Sequence, residues 1–321
     1  MSRDIRRARV RALAKINLDL RVLHKRPDGY HELRTVFQTI SLSDTIDIEF
    51  HAGPRSQVRI DSNIPIENNL IAQAAEACLT KTGKKGQVAF TLRKIIPMGS
   101  GLGGGSSDAA AVLLALPVLM GVRLPLEKLI PMARGLGSDV PFFLLGGAAV
   151  ALGRGDELYP LPDLPARHVV IAAPSVAVST AEAYCGLGRG LTFDSLENTI
   201  DSFQSRVWSL ARGLPAGLKS EPANDFEQVV FRRFPEFEAV KRRLGKLGAE
   251  QTQMTGSGSA LFGLFRSQGD ADRALVSLRK GNVFAASLVS RARYRALWSR
   301  WLRAHVDNGQ KVWPLESRKT G

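Results

Sequence analysis

Residues 97–110 read Pro-Met-Gly-Ser-Gly-Leu-Gly-Gly-Gly-Ser-Ser-Asp-Ala-Ala, and the apolar run Val112-Leu113-Leu114-Ala115-Leu116 follows closely. Five glycines fall within seven residues (Gly99, Gly101, Gly103, Gly104 and Gly105). They strip away side chains and open backbone angles that other residues avoid. Ser106, Ser107 and Asp108 then offer N-cap oxygens to a helix built on Ala109, Ala110, Ala111 and the leucines. A bare loop ending at a helix N-terminus presents free N–H donors and the positive end of the helix dipole. Such a place takes an anion, most often a phosphate.

The spelling narrows the choice. Gly99, Gly101 and Gly104 formally satisfy the dinucleotide fingerprint G-x-G-x-x-G, which wants a strand directly before it and an acid about 20 residues on. Here Pro97 and Met98 intervene after the strand-like Val88–Ile96, and Gly121–Glu127 reads as a loop and helix start. No lysine follows Gly105, which removes a Walker A loop, and the later motifs of a protein kinase are missing. A turn with no ligand would be an unfavourable use of so many glycines, each of which loses extra entropy on ordering.

The chain has 321 residues, enough for two domains of ordinary size. Hydrophobic residues make up 44% and charged residues 23%, the balance of a soluble globular protein. No run reaches the roughly 18 apolar residues a membrane helix needs, and the basic N-terminus lacks the apolar core of a signal peptide. Cys78 and Cys185 are far apart and without metal-ligand spacing, which suits a reducing cytosol. The expectation is a cytoplasmic protein with no membrane partner. The net charge of +14 is dispersed except at Arg291, Arg293, Arg295, Arg300 and Arg303, beside Tyr294, Trp298 and Trp301. That stretch reads as an amphipathic helix with a solvated basic face, and no nucleic-acid partner is expected. A general positive field would also draw polyanionic small substrates.

Along the chain, Ala8–Leu23 reads as one or two strands, and Val36–Leu42, Thr45–Phe50 and Ser56–Asp61 as further strands. Asn69–Lys81 has helical spacing, Val88–Ile96 returns to strand, a helix lies near Leu126–Gly135, and Gly146–Gly153 resembles a strand. The proline-rich Pro160–Pro165 marks a boundary between domains at 1–165 and 166–290, with a basic extension at 291–321. In the second half His168–Ala173 is a strand, Ser179–Cys185 starts a helix, and Leu196–Leu210 is helical. Asp225–Leu247 is an amphipathic helical region interrupted at Pro235, and Gln253–Gly258 is a turn before the strand Ala260–Phe265. Ala271–Lys280 is a helix, Val283–Val289 a strand, and residues 307–321 a polar, frayed end. Helices and strands mix without a βαβ rhythm, which predicts an α+β fold with mostly antiparallel sheets.

Four places could carry chemistry. Lys15 lies inside the apolar strand Ala14-Lys15-Ile16-Asn17-Leu18 and shares a face with Asn17. It is an edge-strand gatekeeper or a functional cation, since a buried lysine needs a partner. Asp139 opens an apolar helix, either as a plain N-cap or as a carboxylate that faces an acceptor hydroxyl beside Lys15. Tyr30 and His31 stand together on the turn Asp28–Glu32, able to stack on a base and bond its edge. Thr255-Gly256-Ser257-Gly258 could offer backbone amides to a second phosphate group. The tripeptide Arg154-Gly155-Asp156 is a chance match to an adhesion motif.

Taken in order, Ala14–Leu18, the loop at 97–110 and Thr255–Gly258 resemble the GHMP kinase superfamily. Arg26–Leu33 and Gly137–Phe142 resemble the branch that acts on a cytidine-diphosphate sugar alcohol in the non-mevalonate isoprenoid pathway. The resemblance spans roughly residues 8–290. It implies two domains, the first like ribosomal protein S5 domain 2 and the second ferredoxin-like, with the active site between them. It implies transfer of a phosphoryl group from ATP to the substrate's 2-hydroxyl, with Lys15 and Asp139 as the catalytic pair. Pro97, Met98, Gly99, Ser100, Gly101, Leu102, Gly103, Gly104, Gly105, Ser106 and Ser107 would wrap the phosphates, with Asn68 and Lys94 nearer the adenosine. Asn17 would hold the substrate, Tyr30 and His31 the cytosine with Tyr184 as second stacking ring, and Gly256, Ser257 and Gly258 would shape the acceptor side. Mg²⁺ is expected on the phosphates, with Ser106 or Ser107 as its ligand and no preformed acidic metal site. The chain would work as a monomer or homodimer. A related kinase for homoserine or mevalonate is the alternative, against which Tyr30-His31 argues. A nucleic-acid-binding module would need neither the Lys15–Asp139 pair nor the glycine loop.

Overall fold

In a computed structural model, which describes residues 5–176, 178–187, 193–211, 224–279, 281–307 and 312–318, the N-terminal alternating segment forms one long strand, β1 (Arg6–Lys25). It pairs antiparallel with a single strand β2 (His31–Ala52), which runs through the break expected between Leu42 and Thr45. Ser43 and Asp44 do not interrupt it because their polar groups are satisfied in place. Ser43 Oγ accepts from Arg11 Nε at 2.8 Å, and Asp44 Oδ1 accepts from the backbone N–H groups of Ile95 and Ile96. A buried polar residue interrupts a strand only when it lacks such partners.

The chain continues through β3 (Gln57–Ser62), α1 (Leu70–Thr82) and β4 (Gly86–Arg93). Then come α2 (Gly104–Leu119), α3 (Leu126–Leu136), α4 (Val140–Leu145), β5 (Ala148–Gly153) and β6 (Glu157–Pro160). These strands make one sheet in the order β3-β4-β2-β5-β6, with β1 along β2; only β3–β4 is parallel. Helix α2 is buried without interruption from Ser107 to Leu119, the signature of a central helix wrapped by other elements. Its cap differs from expectation. Gly103, in the left-handed conformation, is the N-cap residue, and no side chain caps the helix. Ser106 and Ser107 instead lie inside the first turn and Asp108 just beyond it, and Ser107 Oγ donates to Leu13 O at 2.7 Å.

The second half forms β7 (His168–Ala172), α5 (Thr180–Leu187), α6 (Phe193–Ala211), α7 (Glu227–Arg233) and α8 (Pro235–Lys246). It closes with β8 (Gln251–Met254), β9 (Leu261–Phe265), α9 (Gln268–Leu278), β10 (Val283–Ser287) and α10 (Arg291–Trp301). The second sheet is wholly antiparallel, in the order β10-β7-β9-β8. Ala14, Ile16 and Leu18 of β1 pack with Val169, Ile171 and Phe262 of that sheet, so one apolar cluster joins the two halves. The end expected for a helix at Lys280, and residues 308–311 and 319–321 of the tail, lie outside the described residues. The described part of the tail is not frayed at Trp313 and Leu315: Leu315 is buried in the core around α2 and Trp313 packs against it, next to Trp298, Leu302 and Val306 of the same core. No described helix is long and apolar enough to cross a membrane.

The turn between β8 and β9 rests directly on the glycine loop. Ala260 N donates to Ser100 O at 3.1 Å. A Cβ on Gly101 would fall 2.1 Å from Thr255 O, and one on Gly256 would fall 3.0 Å from Gly101 Cα. Both glycines also have positive φ, at +79° and +58°. We therefore expect Gly101→Ala to lower stability by about 2 kcal/mol or more, read as a lower urea midpoint. An unchanged midpoint would mean that the two loops do not meet in this way.

Candidate active site

Lys15 sits between two register breaks in the β1–β2 ladder, at Leu13/Lys15 and Asn17/Asp19. Such bulges re-aim side chains that a regular strand would present differently. The Lys15 N–H donates to Leu102 O at 3.0 Å, which pins the strand to the glycine loop. Its ammonium is only 3% exposed and therefore needs compensation. That comes from Asn17 Oδ1 at 2.7 Å, Asp139 Oδ2 at 3.4 Å and the face of Phe37, 4.8 Å from the ring centroid. The gatekeeper reading of Lys15 does not survive this burial.

Asn17 is committed at both ends. Its Oδ1 also accepts from Gly256 N at 2.9 Å and faces Thr255 Oγ1 at 3.0 Å, while Nδ2 donates to Thr35 Oγ1 at 2.7 Å. The amide therefore orients Lys15 and ties β1 to the β8–β9 turn, and Asn17 lines the same cavity as Lys15 and Asp139. Asp139 stands at the N-cap position of α4 but makes no cap bond; its half-exposed carboxylate faces Lys15 instead. Behind it, Phe142 packs on Phe37 at 5.0 Å, and a Cβ on Gly103 would touch the Phe143 ring at 2.9 Å.

The glycine loop, Lys15 and Asp139 line one cavity of about 570 Å³, bounded at one end by Asn68 and Lys94 and at the other by Tyr184 and Phe226. Gly99, Gly101 and Gly103 all have positive φ. Ser100 Oγ donates to Pro97 O at 2.6 Å, closing the loop on itself, and Met98 is exposed at its edge. Ser106 lines the cavity, but Ser107 is buried against β1 and does not. Lys94 reaches the cavity with its charge already spent, since Nζ bonds Asp44 Oδ2 at 2.5 Å and Asp108 Oδ2 at 2.6 Å.

Neither Tyr30 nor His31 lines the cavity, but His31, rather than Tyr30, lies on the lining residue Tyr184, with ring centroids 4.3 Å apart and planes 16° from parallel. Tyr30 is exposed, with the Arg154 guanidinium 4.7 Å over its ring. Burial, and secondarily Lys25, lowers the His31 pKa, so the imidazole is neutral near pH 7. Burial and the Asp139 carboxylate push Tyr184 up to about 12, so its phenol stays protonated. Gly256, Ser257 and Gly258 border the cavity, and Ser257 Oγ shares a hydrogen bond with Thr180 Oγ1 at 2.9 Å. The turn is fixed by Asn224, whose Nδ2 donates to Met254 O at 2.8 Å and Gly256 O at 2.9 Å.

The sequence analysis missed Phe37, Asp44, Asp108, Arg154 and Asn224. Two of these stood in noticed motifs: Asp108, read as a helix cap, is paired with Lys94, and Arg154 of the adhesion-like tripeptide lies in the cavity wall beside Tyr30. Asp108 has a titration consequence. Burial raises its carboxyl above the ordinary value, Lys94 shares one positive charge between two carboxylates, and Oδ1 has no hydrogen-bond partner. An acid raised in the fold costs nothing below its solution pKa of about 3.9 and increasingly more as pH climbs through the raised value. Asp108→Asn removes that cost, so its stability relative to the parent should grow between about pH 4 and the raised value of about 7 and level off above it. A difference that stays flat over this range, in urea titrations, would contradict the assignment.

Residues 69–147 match the family model for the GHMP kinases N terminal domain, and residues 210–283 that for the GHMP kinases C terminal. Lys15, Tyr30 and His31 precede the first match. A 4-diphosphocytidyl-2-C-methyl-D-erythritol kinase from Solibacter usitatus is 52% identical over 317 residues, covering 98% of this chain and 98% of its own length. The crystal structure of a 4-(cytidine 5'-diphospho)-2C-methyl-D-erythritol kinase aligns with a TM-score of 0.72 at 39% identity, over 87% of this chain and 98% of that one. A homoserine kinase from Cytophaga hutchinsonii reaches 0.68 at 19% identity over 88% of this chain and 95% of its own, a likeness of fold alone. Identity of more than half along the whole length admits one assignment: the chain belongs to the GHMP kinase family of ATP-dependent kinases.

Proposed function

We propose that the chain is a cytoplasmic enzyme that transfers the γ-phosphoryl group of ATP to the 2-hydroxyl of 4-diphosphocytidyl-2-C-methyl-D-erythritol. The products are the 2-phosphate and ADP, in the non-mevalonate route to isoprenoid precursors. One observation carries the reading: Lys15 and Asp139, 3.4 Å apart, share a cavity with a glycine loop at a helix N-terminus. The names of the relatives supply the acceptor.

The loop N–H groups at the start of α2 bind the phosphates, aided by the uncapped helix end. Phosphoryl transfer passes through a loose transition state, so positioning and charge stabilisation dominate. Lys15, held by Asn17, stabilises charge on the transferring group. Asp139 orients the acceptor hydroxyl and takes its proton late; the acceptor is a tertiary alcohol, a weak acid, so orientation is the larger part of its work. Asn17 acts through Lys15. Lys94, neutralised by two carboxylates, shapes the adenosine end without adding charge there.

The described residues contain no cluster of three His, Cys, Asp or Glu able to cage a metal. Mg²⁺ takes oxygen ligands and is bound largely through substrate phosphates. The Ser106 hydroxyl, in the cavity wall, would hold it, and the ion would offset phosphate charge. At the acceptor end the neutral His31 edge suits a cytosine. With His31 already on Tyr184 at 4.3 Å, no base fits between those two rings. The residues used belong to one chain, and monomer and homodimer serve them equally.

ADP release in the presence of the cytidylyl substrate, homoserine, mevalonate or RNA tests the acceptor. We expect stimulation by the cytidylyl substrate alone; stimulation by homoserine or mevalonate instead would move the chain to the alternative kinases. Asp139→Ala should lower turnover by about 10²–10⁴, with ATP affinity changed less than about threefold. Near-normal turnover would remove Asp139 from the mechanism.

A further inference from the structure

The segment after Ser290 has no part in the reading above, yet two of its side chains end on the helix that begins at Asp139. Helix α4 has six residues, too few to be stable alone, and its last carbonyls lack intrahelical partners. Phe142 O accepts from Gly146 N at 2.9 Å. The next two carbonyls are met from 150 residues or more away: Tyr294 Oη donates to Phe143 O at 2.5 Å, and Trp313 Nε1 donates to Leu144 O at 2.8 Å. The backbone behind α4 is shaped for this segment. Gly146 and Gly147 both have positive φ; a Cβ on Gly146 would fall 2.4 Å from the Tyr294 ring, and one on Gly147 2.7 Å from Arg291 Cβ. The Arg291 guanidinium also bonds Leu161 O at 3.0 Å, and Ala148 O just beyond the two glycines.

We propose that Tyr294 and Trp313 are positioning residues for phosphoryl transfer, capping the C-terminus of α4 so that Asp139, at its other end, faces Lys15. Three contacts link α4 to the site. Asp139 stands at its start; Phe142 packs on Phe37, the ring under the Lys15 ammonium; and Phe143 forms the wall behind Gly103. A slide of α4 along its axis would therefore displace the carboxylate, the platform of the lysine and the wall of the phosphate loop together. The aromatic segment is thus a backstop for the catalytic helix, built outside both matched family models, which end at residue 283. The inference rests on the reading of Asp139 as catalytic.

Tyr294→Phe and Trp313→Phe each remove one hydrogen bond while keeping an aromatic ring. In the ADP-release assay at about 25 °C, with folding verified by circular dichroism, we expect the double variant to lose about five- to twentyfold in kcat. KM for ATP and for the cytidylyl substrate should stay within about twofold, and each single variant should lose a smaller part of kcat. Leu315→Ala is the control: it loosens the same segment in the core without touching an α4 carbonyl, and should lower Tm with kcat unchanged. A double variant with kcat within twofold of the parent would overturn the proposal, as would a Leu315→Ala protein that loses kcat equally. If the double variant does not fold, the single variants decide by the same criterion. Asp139→Ala in the same assay separates the two ideas. Near-normal turnover there sinks the mechanism itself, whereas its loss with unaffected Tyr294 and Trp313 variants sinks only the backstop.

Discussion

A single ammonium group withdrawn from water in the middle of a strand organises this molecule. Lys15 can be buried only because a carbonyl oxygen, a carboxylate and an aromatic face converge on it. Each of those partners belongs to a different element. Asn17 brings the β8–β9 turn, Asp139 brings α4, and Phe37 brings β2 with the Phe142 ring behind it. The β1–β2 ladder is irregular on either side of Lys15, and the Lys15 backbone N–H holds Leu102 O of the glycine loop.

The glycine run answers several demands that composition alone would merge into one. Gly101 lets the loop meet the backbone of Thr255, which no side chain would permit. Gly103 makes room for the Phe143 ring and the Lys15 stem, and Gly104 for Lys94 and Ile96. Gly105 has only ordinary contacts, with Leu70 Cδ1 3.8 Å from where a Cβ would lie. The loop is thus the surface on which the second sheet's turn is seated, besides the phosphate-binding part proposed for it.

Charge is handled differently inside and outside. The surplus of +14 lies mostly on the surface, including the basic face of α10, whose buried side carries Tyr294 and Trp298. Inside, carboxylates accompany the cations: Asp44 and Asp108 around Lys94, Asp139 beside Lys15, and Asp19 between Arg21 and Arg206. Burial still pushes Asp19 up to about 6 despite its two arginines, a measure of how much desolvation weighs against pairing.

The sequence by itself determined what short-range pattern can encode. The glycine loop and its apolar helix, Lys15 and Asn17 on one strand face, the Pro235 interruption and the Gly256–Gly258 turn all rest on spacing within a few residues. The α+β class and the glycine loop at the start of α2 follow from them. Where local rules failed, long-range partners had overruled them. Ser43-Asp44 looked like a break until Arg11, Ile95 and Ile96 satisfied it; Ser107 looked like a cap but bonds Leu13; the tail looked polar but Trp313 and Leu315 are docked. Only the tertiary structure decided that Asn17 is a strut joined to Gly256 across 239 positions, that Lys94 is neutralised before any ligand arrives, and that His31 rather than Tyr30 lies on Tyr184. The physical reason is common to all three. Periodicity records which residues are buried, while the partner each buried polar group finds is fixed only when distant segments pack.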